Sequence, residues 1–568
     1  MKRLKIVRLE DLVPRTAELF CKKKAGGFTY SWGAFGKDCV SGLMVGIVAM
    51  PLAMAFSIAA GCTPAQGLYT AIISGFFVSA LGGSRFQIAG PTGAFVVIIY
   101  GIVARQGMAG LTAATIIAGI LLILMGLFGL GKFIKYIPYP VTTGFTTGVG
   151  LLIFSQQIKD FFGLDIAQSS PEFIEKWIQH FSAARTIDIT TLAVGLGTIA
   201  LIVLLRRFAP RIPGAAVAVL ASTVICHFFE LPTPTIGDVF GNINASALPA
   251  PNFPAISLST IREVFPDAFS IALLAAIESL LSAVVADGMT GDRHNSNTEL
   301  VAQGAGNIAS VIFGGIPATG AIARTATNIK SGAVSPVSGI IHSVTLVLFI
   351  LFLAPAATMI PLACLSAVLI VVSWDMSNLG RFIRIVKTAP KSDMFVLLCT
   401  FMLTVLVDLT FAVEIGVLLA VFLFIRRMIE IADVKPQNNE LIGALSTGNT
   451  EKGTEKNIMA LYSKDIEVYE IDGPFFFGVA DMLQNILLHL ARPPKTVILR
   501  MRAVPAIDST GIAALESFMM NCRSRKTRLI ITEIRPQPKS ALEKAGFTAA
   551  CGHENFIATL EEAIESCT

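Results

Sequence analysis

Apolar stretches alternate with short polar or glycine- and proline-rich turns through the first three quarters of the chain. Stretches of this length and hydropathy are typical of membrane-spanning helices. We predict about fourteen of them, seven in each half of the region, and therefore a polytopic α-helical membrane protein. The first seven predicted segments are Val40–Ala60, Ala65–Leu81, Pro91–Ala104, Leu111–Leu127, Val141–Phe161, Thr190–Leu205 and Gly214–Phe229. The second seven are Ala268–Ala286, Leu300–Phe313, Ala318–Asn328, Val337–Leu353, Pro361–Val372, Met394–Leu409 and Phe411–Ile425.

The third segment of each half is interrupted in the same way. The first break is Ile88–Phe95 and the second is Gly314–Arg324. Each contains glycine and proline, which stop a helix, and each is followed by roughly a dozen small or apolar residues. A helix of that length covers about 20 Å, less than the hydrocarbon core of about 30 Å. Matched interruptions in two halves predict a transporter binding site near the bilayer midplane. Ordinary kinks between packed helices are the alternative.

The two predicted helix starts suit an anion. Helix N-termini leave backbone N–H groups unpaired and carry a partial positive charge, so two that face each other bind an anion without a metal. Gly90, Gly93 and Gly320 would let a ligand approach the backbone closely. Arg324 adds a permanent positive charge and a planar fork that matches carboxylate or sulfate oxygens.

Glu278 lies inside the eighth predicted segment, where a carboxyl group is costly and by default functional. One hypothesis is that it holds the proton or cation coupled to anion movement. The alternative is that it is a structural partner for Arg324 or for a backbone group. Pro51 interrupts the first segment and is either the edge of the binding site or a simple kink. Gly144 and Gly148 have the spacing of close helix packing.

Composition supports a membrane protein, and the positions of its charged and Cys residues bear on its topology and function. Hydrophobic residues make up 54% of the 568 residues and charged residues only 15%, whereas soluble proteins carry about 25% charged residues. Most Lys and Arg residues precede the first segment or follow even-numbered ones, which predicts cytoplasmic termini. The net charge of +5 therefore does not indicate nucleic-acid binding. The nine Cys are scattered without the spacing of a metal site, so we predict no metal and no cofactor. His342 is expected to be satisfied within the bundle or at its edge.

The last quarter of the chain has the pattern of a separate soluble domain. The polar stretch Asn438–Asn457 predicts a linker. Beyond it, strand-like and helix-like patterns alternate, which predicts a small α/β domain. The predicted strands and helices are Ile466–Ile471, Asp481–Leu490, Thr496–Leu499, Ile512–Cys522, Arg528–Thr532, Pro538–Ala545 and Leu560–Ser566.

One loop of this domain resembles a known family. The stretch Val504–Gly511 is similar to the central loop of STAS domains, which resemble bacterial anti-sigma-factor antagonists. In those antagonists a Ser or Thr of this loop is phosphorylated, so the resemblance makes Ser509 and Thr510 candidate regulatory sites. Asp508, Ser509 or Thr510 is also a natural N-cap for the helix that follows.

The membrane region resembles the sulfate permease (SulP) family of anion transporters, which carry a C-terminal STAS domain. Within the family it looks closest to the bacterial dicarboxylate-transporting branch. The resemblance implies two inverted seven-segment repeats, with segments one to four and eight to eleven in a core domain and the others in a gate domain. It also implies an elevator-like movement of the core against the gate, with substrate between short helices three and ten. The matching residues are Pro51–Phe56, Gly67–Tyr69, Gly82–Arg85, Gly90–Thr92, Ala276–Ser279 and the run to Arg324.

The residues and the resemblance together define a predicted site. The coupling ion is assigned to Glu278, and no catalytic residue or metal ligand is predicted. The chain departs from many family members in having Leu52 in place of Gln and Ala323 in place of a hydroxyl residue, and both differences bear on anion preference. The predicted substrate-binding residues are Pro51, Ala53, Phe56, Gly90, Pro91, Thr92, Gly93, Ala94, Thr319, Gly320, Ala323 and Arg324.

We therefore predict a secondary active anion transporter of the bacterial inner membrane, coupled to H⁺ or Na⁺. Sulfate, bicarbonate and C4-dicarboxylates all fit two helix ends and one Arg. An anion channel, or an anion sensor that signals through the STAS domain, is the alternative. An enzyme is not expected, because the sequence has no nucleophile–base constellation or metal cluster. Direct use of ATP is not expected either, because the sequence has no Walker motif. The expected partners are the anion, the coupling ion, membrane lipid and a second copy of the chain. The predicted domains are a cytoplasmic N-terminal region 1–37, a membrane domain 38–430, a linker 431–457 and a STAS domain 458–568.

Overall fold

The computed structural model divides the chain into two compact units, Met1–Leu418 and Leu419–Thr568. The predicted linker Asn438–Asn457 lies outside the described residues, and so does the predicted helix Asp481–Leu490 except for Leu483. The structure describes residues 12–20, 30–132, 138–166, 169–170, 172–209, 212–241, 251, 258–407, 409–431, 433–436, 466–476, 483 and 494–567.

The first unit is mainly helical, and its last helix, α16, continues past Leu418. Each of the fourteen predicted segments coincides with a helix or with part of one. Segments three and four are the two parts of α3, which is interrupted at Gly107, where φ is 65° and ψ is −170°. Seven helices of the described residues are long and apolar enough to cross a membrane. The helices up to the middle of the chain are α1 Trp32–Ala59, α2 Pro64–Leu81, α3 Gly93–Leu127, α4 Tyr139–Phe162, α5 Phe173–Ser182, α6 Ile189–Phe208, α7 Gly214–Phe228 and α8 Ile236–Phe240. Those that follow are α9 Leu258–Thr290, α10 Ser296–Ile312, α11 Ile322–Lys330, α12 Val337–Ala357, α13 Leu362–Ser377, α14 Leu379–Thr388, α15 Lys391–Leu406 and α16 Leu409–Ile431.

These helices pack into two bundles. In the first bundle α3 packs on α9 and α10, α1 on α12, α2 on α10 and α12, and α11 on α9. In the second bundle α4 packs on α13 and α15, and α6 on α7 and α13. Gly416 of α16 lies against Thr400 of α15 and Val141 of α4, which adds α16 to the second bundle. The division matches the core and gate domains that the family resemblance implies.

The bundles are tight where glycines face a neighbouring helix. A methyl group added to Gly119 of α3 would lie 2.8 Å from the carbonyl oxygen of Gly304 on α10. On α4, methyl groups added to Gly144 and Gly148 would lie 2.5 and 2.7 Å from atoms of α15. Small residues let helices approach closely, which matters in lipid because burying apolar surface gains little there. The predicted packing role of Gly144 and Gly148 is confirmed.

The two breaks are joined to each other. Strand β1 (Ala89–Gly90) pairs antiparallel with β2 (Thr319–Gly320). The N–H of Ala321 extends the pairing by donating to the carbonyl oxygen of Ile88 at 2.8 Å. Extended backbone at membrane depth is tolerated only where its polar groups find partners inside the protein, and each break supplies partners for the other. The antiparallel direction fits two halves of opposite orientation.

The second unit contains a sheet of the described strands in the order β3-β4-β5-β6-β7. Strand β3 is antiparallel to β4, and the other neighbours are parallel. The predicted strands and helices among the described residues are confirmed. The sequence missed β3, which lies within the predicted linker 431–457, and β7, because strands this short show little periodicity. The strands are β3 Asp433–Pro436, β4 Ile466–Asp472, β5 Thr496–Ala503, β6 Arg528–Thr532 and β7 Phe556–Ile557, and the helices are Ser509–Ser524, Pro536–Lys544, Phe547–Cys551 and Leu560–Glu565.

Ion pairs tie neighbouring strands of this sheet together at one end. Arg500 of β5 hydrogen bonds to Glu533, just beyond β6, and this bond holds the pKa of Glu533 below its usual value. Arg502 of β5 donates to Glu470 of β4 at 2.5 Å. These pairs link three adjacent parallel strands near their carboxyl ends.

Candidate functional site

The starts of α3 and α11 lie together because β1 and β2 directly precede them. The N-cap residues are Thr92 for α3 and Ala321 for α11, and neither side chain accepts a hydrogen bond from the first turn. In the described structure the first N–H groups of both helices therefore have no side-chain cap. Each end also carries the partial positive charge of its helix.

Buried polar side chains hold this arrangement in place. The hydroxyl of Ser279 on α9 accepts from the N–H of Gly320 at 2.9 Å, and its carbonyl accepts from the Gln87 side chain at 2.9 Å. The side-chain amide of Asn307 on α10 makes two hydrogen bonds of 2.8 Å to the backbone of Ala318. Both breaks are thereby fixed to the first bundle. The sequence analysis missed Gln87 and Asn307, although amide side chains at membrane depth are a recognisable signal.

The start of α3 also touches the second bundle. A methyl group on Gly93 would lie 2.8 Å from Cδ1 of Ile153 on α4 and 2.9 Å from Sδ of Met376 on α13. Phe56 of α1 approaches the same position to 3.2 Å. The candidate site therefore lies where the two bundles meet.

The remaining predicted site residues divide into buried and exposed ones. Pro51 and Ala53 are buried in α1, and this helix runs through Pro51 without interruption. Ala94 is buried in the first turn of α3. Ala323 lies on the exposed side of α11, in contrast to its neighbour Arg324. The structure thus groups the residues of the two breaks and Arg324, while Ala323 is exposed.

Arg324 is only 2% exposed, and its guanidinium group packs beneath β1. One terminal nitrogen donates to the carbonyl oxygen of Pro91. The other has no hydrogen-bond partner among the described residues. Cζ of Arg324 would lie 3.3 Å from a methyl group on Gly90. A buried guanidinium with an unpaired N–H needs a further acceptor, such as an anion or a water molecule.

Glu278 contacts the start of α3. Its carboxylate accepts a hydrogen bond of 2.9 Å from the hydroxyl of Thr92, the N-cap residue of that helix. No ion pair with Arg324 is present among the described residues, so the alternative of Glu278 as the partner of Arg324 is wrong. The reason is side-chain direction: Arg324 turns toward Pro91, whereas Glu278 points toward Thr92.

Glu299 and His342 are two of the fully buried ionisable side chains of the first bundle. Glu299, at the start of α10, accepts from the N–H groups of Gly83 and Ser84 at 3.0 and 3.1 Å and from Gln303 at 3.0 Å. Its carboxylate therefore anchors the turn after α2. His342 of α12 is 0% exposed, and neither ring nitrogen has a hydrogen-bond partner among the described residues. The expectation that His342 is satisfied within the bundle is wrong.

Replacing Gly90 by Ala should displace Arg324 and weaken anion binding by roughly tenfold, because overpacking costs about 1–3 kcal/mol. Gly90 has a φ of 154°, which disfavours any side chain, and the new methyl group would press on the guanidinium. Titration of the purified protein with sulfate and bicarbonate measures the effect. Gly101→Ala in α3, the helix that follows β1, is the control, because its methyl group would meet only Arg105, at 3.5 Å. Unchanged affinity in a stably folded Gly90→Ala protein would contradict this placement of Arg324.

The loop that resembles STAS domains forms a helix cap in the second unit. Asp508 is the N-cap of the helix Ser509–Ser524 and accepts from the N–H of Gly511 at 2.8 Å. The predicted capping role is confirmed for Asp508. Ser509 and Thr510 are exposed in the first turn, and their regulatory role stays a prediction.

Comparisons with known proteins cover both units. The model of the sulfate permease family matches residues 35–400, and that of the STAS domain matches residues 457–563. YvdB of Bacillus subtilis, named as a candidate sulfate transporter, is 41% identical over 530 residues, which are 93% of this chain and 97% of YvdB. The bicarbonate transporter BicA of Picosynechococcus is 30% identical over 544 residues, 93% of this chain and 94% of BicA. These names refer to sulfate and bicarbonate and do not support the dicarboxylate branch.

Solved structures agree with the fold. The transmembrane domain of a cyanobacterial BicA aligns with a TM-score of 0.59 at 30% identity and covers 69% of this chain and 98% of that domain. The murine anion transporter Slc26a9 aligns with a TM-score of 0.80 over 96% of both chains. At a sequence identity of 17%, this structural similarity shows only that the two chains share a fold.

Proposed function

The chain belongs to the sulfate permease family, and from that premise we propose that it is a secondary active transporter of small oxyanions. Its relatives are named as transporters and not as enzymes. The observation that carries the proposal is the pair of uncapped helix starts, beside which lies the Arg324 nitrogen that has no partner in the described part of the chain. Together they offer N–H donors and positive charge to an oxyanion without a metal.

Glu278 supplies a physical reason for cation coupling. An ionised carboxylate at the positive end of α3 competes with an anion for the same partial charge and repels it. A proton or Na⁺ on Glu278 removes that repulsion, so the cation and the anion favour each other's binding. We propose symport of the anion with H⁺ or Na⁺, with Glu278 as the cation site.

The placement of the site between the bundles supports an elevator mechanism. The first bundle carries both breaks and the side chains that fix them, whereas Ile153 and Met376 approach from the second. A movement of the first bundle against the second would carry the site as a unit and change which side of the membrane it faces. We propose this movement as the transport step.

We propose sulfate or bicarbonate as the substrate, ahead of C4-dicarboxylates, on the names of the relatives. We also propose that the protein lies in a bacterial inner membrane with both termini in the cytoplasm, on the distribution of Lys and Arg. A homodimer is the assembly proposed from the family resemblance.

Uptake by purified protein in proteoliposomes tests the proposal. Labelled sulfate, bicarbonate and succinate are offered separately, with an imposed pH or Na⁺ gradient. Accumulation against the anion gradient is expected and identifies both the substrate and the coupling ion. Flux that only follows the anion gradient would favour the channel, and binding without flux would favour the sensor, since neither can concentrate an anion.

Deleting Asn438–Thr568 should leave anion binding intact and lower the transport rate, the stability or the delivery to the membrane. The predicted site residues of the membrane unit all precede residue 325, and the deleted part contains none of them. Anion titration and uptake by the truncated protein measure the two effects separately. Complete loss of anion binding in a well-folded truncation would contradict the separation.

A further inference from the structure

The proposed transport mechanism gives no role to helix α14. It connects α13 to α15, two helices of the second bundle. The chain turns into it at Asn378, whose φ of 45° ends α13, and Pro390 caps the start of α15. None of the residues of α14 is buried.

One face of α14 is apolar and only partly covered by protein. Phe382, Ile385 and Val386 are half-buried where α14 meets α4 and α15. The Phe382 ring lies 5.3 Å from that of Phe401 on α15, centroid to centroid. Leu379 and Ile383 stay 41% and 43% exposed. Apolar surface therefore continues beyond the contact with the bundle.

The opposite face is basic. Arg381, Arg384 and Lys387 are three residues apart, so they share one side of the helix, and all three are exposed. The helix contains no Asp or Glu. None of the three forms an ion pair with a described residue, in contrast to Arg206 of the second bundle.

Neighbouring residues place α14 at the level of a membrane surface. Arg206 at the end of α6 forms a two-pronged ion pair with Asp375 near the end of α13, at 2.6 and 3.1 Å. Trp374, beside it, is 69% exposed. Exposed Trp and charged pairs at the ends of spanning helices are typical of the boundary between lipid tails and water.

We propose that α14 binds anionic phospholipid headgroups at this boundary. Leu379 and Ile383 enter the upper acyl region, and the three basic side chains contact headgroup phosphates. A helix with apolar residues on one side and with Lys and Arg as its only charged residues on the other has the properties of an interfacial helix, and its charge matches an anionic leaflet. The match in charge selects anionic lipid over zwitterionic lipid.

Native mass spectrometry of the full-length protein in detergent, titrated with phosphatidylglycerol or phosphatidylcholine, tests the proposal. The variant Arg381→Gln/Arg384→Gln/Lys387→Gln should bind phosphatidylglycerol more weakly by up to about 100-fold, because each basic residue near an anionic surface contributes roughly a fivefold factor. Phosphatidylcholine binding should not change. The control variant Lys526→Gln/Lys539→Gln/Lys544→Gln removes the same charge from exposed sites of the second unit and should bind phosphatidylglycerol like the wild type.

Two outcomes would overturn the proposal. One is phosphatidylglycerol binding that is unchanged in the α14 variant, which would leave its basic face solvated or facing protein. The other is an equal loss in both variants, which would make the effect one of net charge. The variant Leu379→Ser/Ile383→Ser keeps the charges and should also weaken lipid binding. Since no readout involves transport, failure here leaves the proposed transport function standing, and the converse also holds.

Discussion

Replacing Arg324 by Ala should abolish concentrative anion uptake while the protein still folds and inserts into the membrane. The side chain brings a permanent charge to the two helix starts and is 2% exposed, so water screens it poorly. Losing a charge-assisted hydrogen bond costs roughly 1.5–3 kcal/mol, or roughly 10- to 150-fold in anion affinity. Anion titration and gradient-driven uptake measure the loss.

Two further variants distinguish the effect of the Arg324 charge from the effect of its side-chain geometry and from an effect on folding. Arg324→Lys keeps the charge but not the fork, so it should bind the anion with intermediate affinity. Arg105→Ala is the matched control, because Arg105 is a more exposed Arg of the same bundle that pairs with Asp267 at 2.8 Å. It should leave affinity near that of the wild type. Wild-type affinity in folded Arg324→Ala protein would remove Arg324 from the site.

Replacing Glu278 by Gln should uncouple anion movement from the cation gradient. Gln keeps the shape and can still accept the hydrogen bond from Thr92, but it takes up no proton and offers no negative charge to Na⁺. The variant should therefore exchange anions across the membrane yet fail to concentrate them. Counterflow and gradient-driven uptake in the same vesicles measure the two activities. If H⁺ is the coupling ion, acid pH should speed uptake by the wild type and not by the variant.

Glu299→Gln is the control for this experiment. Glu299 is a fully buried carboxylate of the first bundle, whereas Glu278 is half-buried, and the oxygens of Glu299 are occupied by Gly83, Ser84 and Gln303. Its replacement should lower folded yield or thermal stability and leave coupling intact in the protein that folds. Accumulation against a gradient by Glu278→Gln, with unchanged pH dependence, would make Glu278 a structural residue.

Hydropathy and local composition alone locate the membrane segments. All fourteen coincide with helices, because the tendency of a stretch to span lipid depends on its own residues. The two breaks can also be predicted from local sequence, since glycine and proline stop a helix whatever surrounds it. The strands β4, β5 and β6 were predictable for the same reason, as their apolar runs are long enough to show a pattern.

Contacts between distant segments were not predictable in this way. Strand β3 has four residues, and its pairing with β4 crosses a stretch that is polar enough to predict a linker. Gln87 and Asn307 are single amides whose importance depends on the backbone groups that they reach. His342 was expected to have partners because buried polar groups usually do, and only its packed surroundings leave both ring nitrogens without a partner among the described residues.

In the candidate site, too, some features follow from the local sequence and others only from the tertiary structure. The sequence by itself determined that two helices start at matched breaks and that Arg324 and Glu278 belong to buried segments near them. Only the tertiary structure decided their partners. Glu278 bonds to Thr92 across 186 positions of the chain, and Arg324 bonds to Pro91 across 233. The physical reason is that a local pattern sets where a helix begins, whereas the direction of a side chain follows from how α9 and α11 pack against the start of α3.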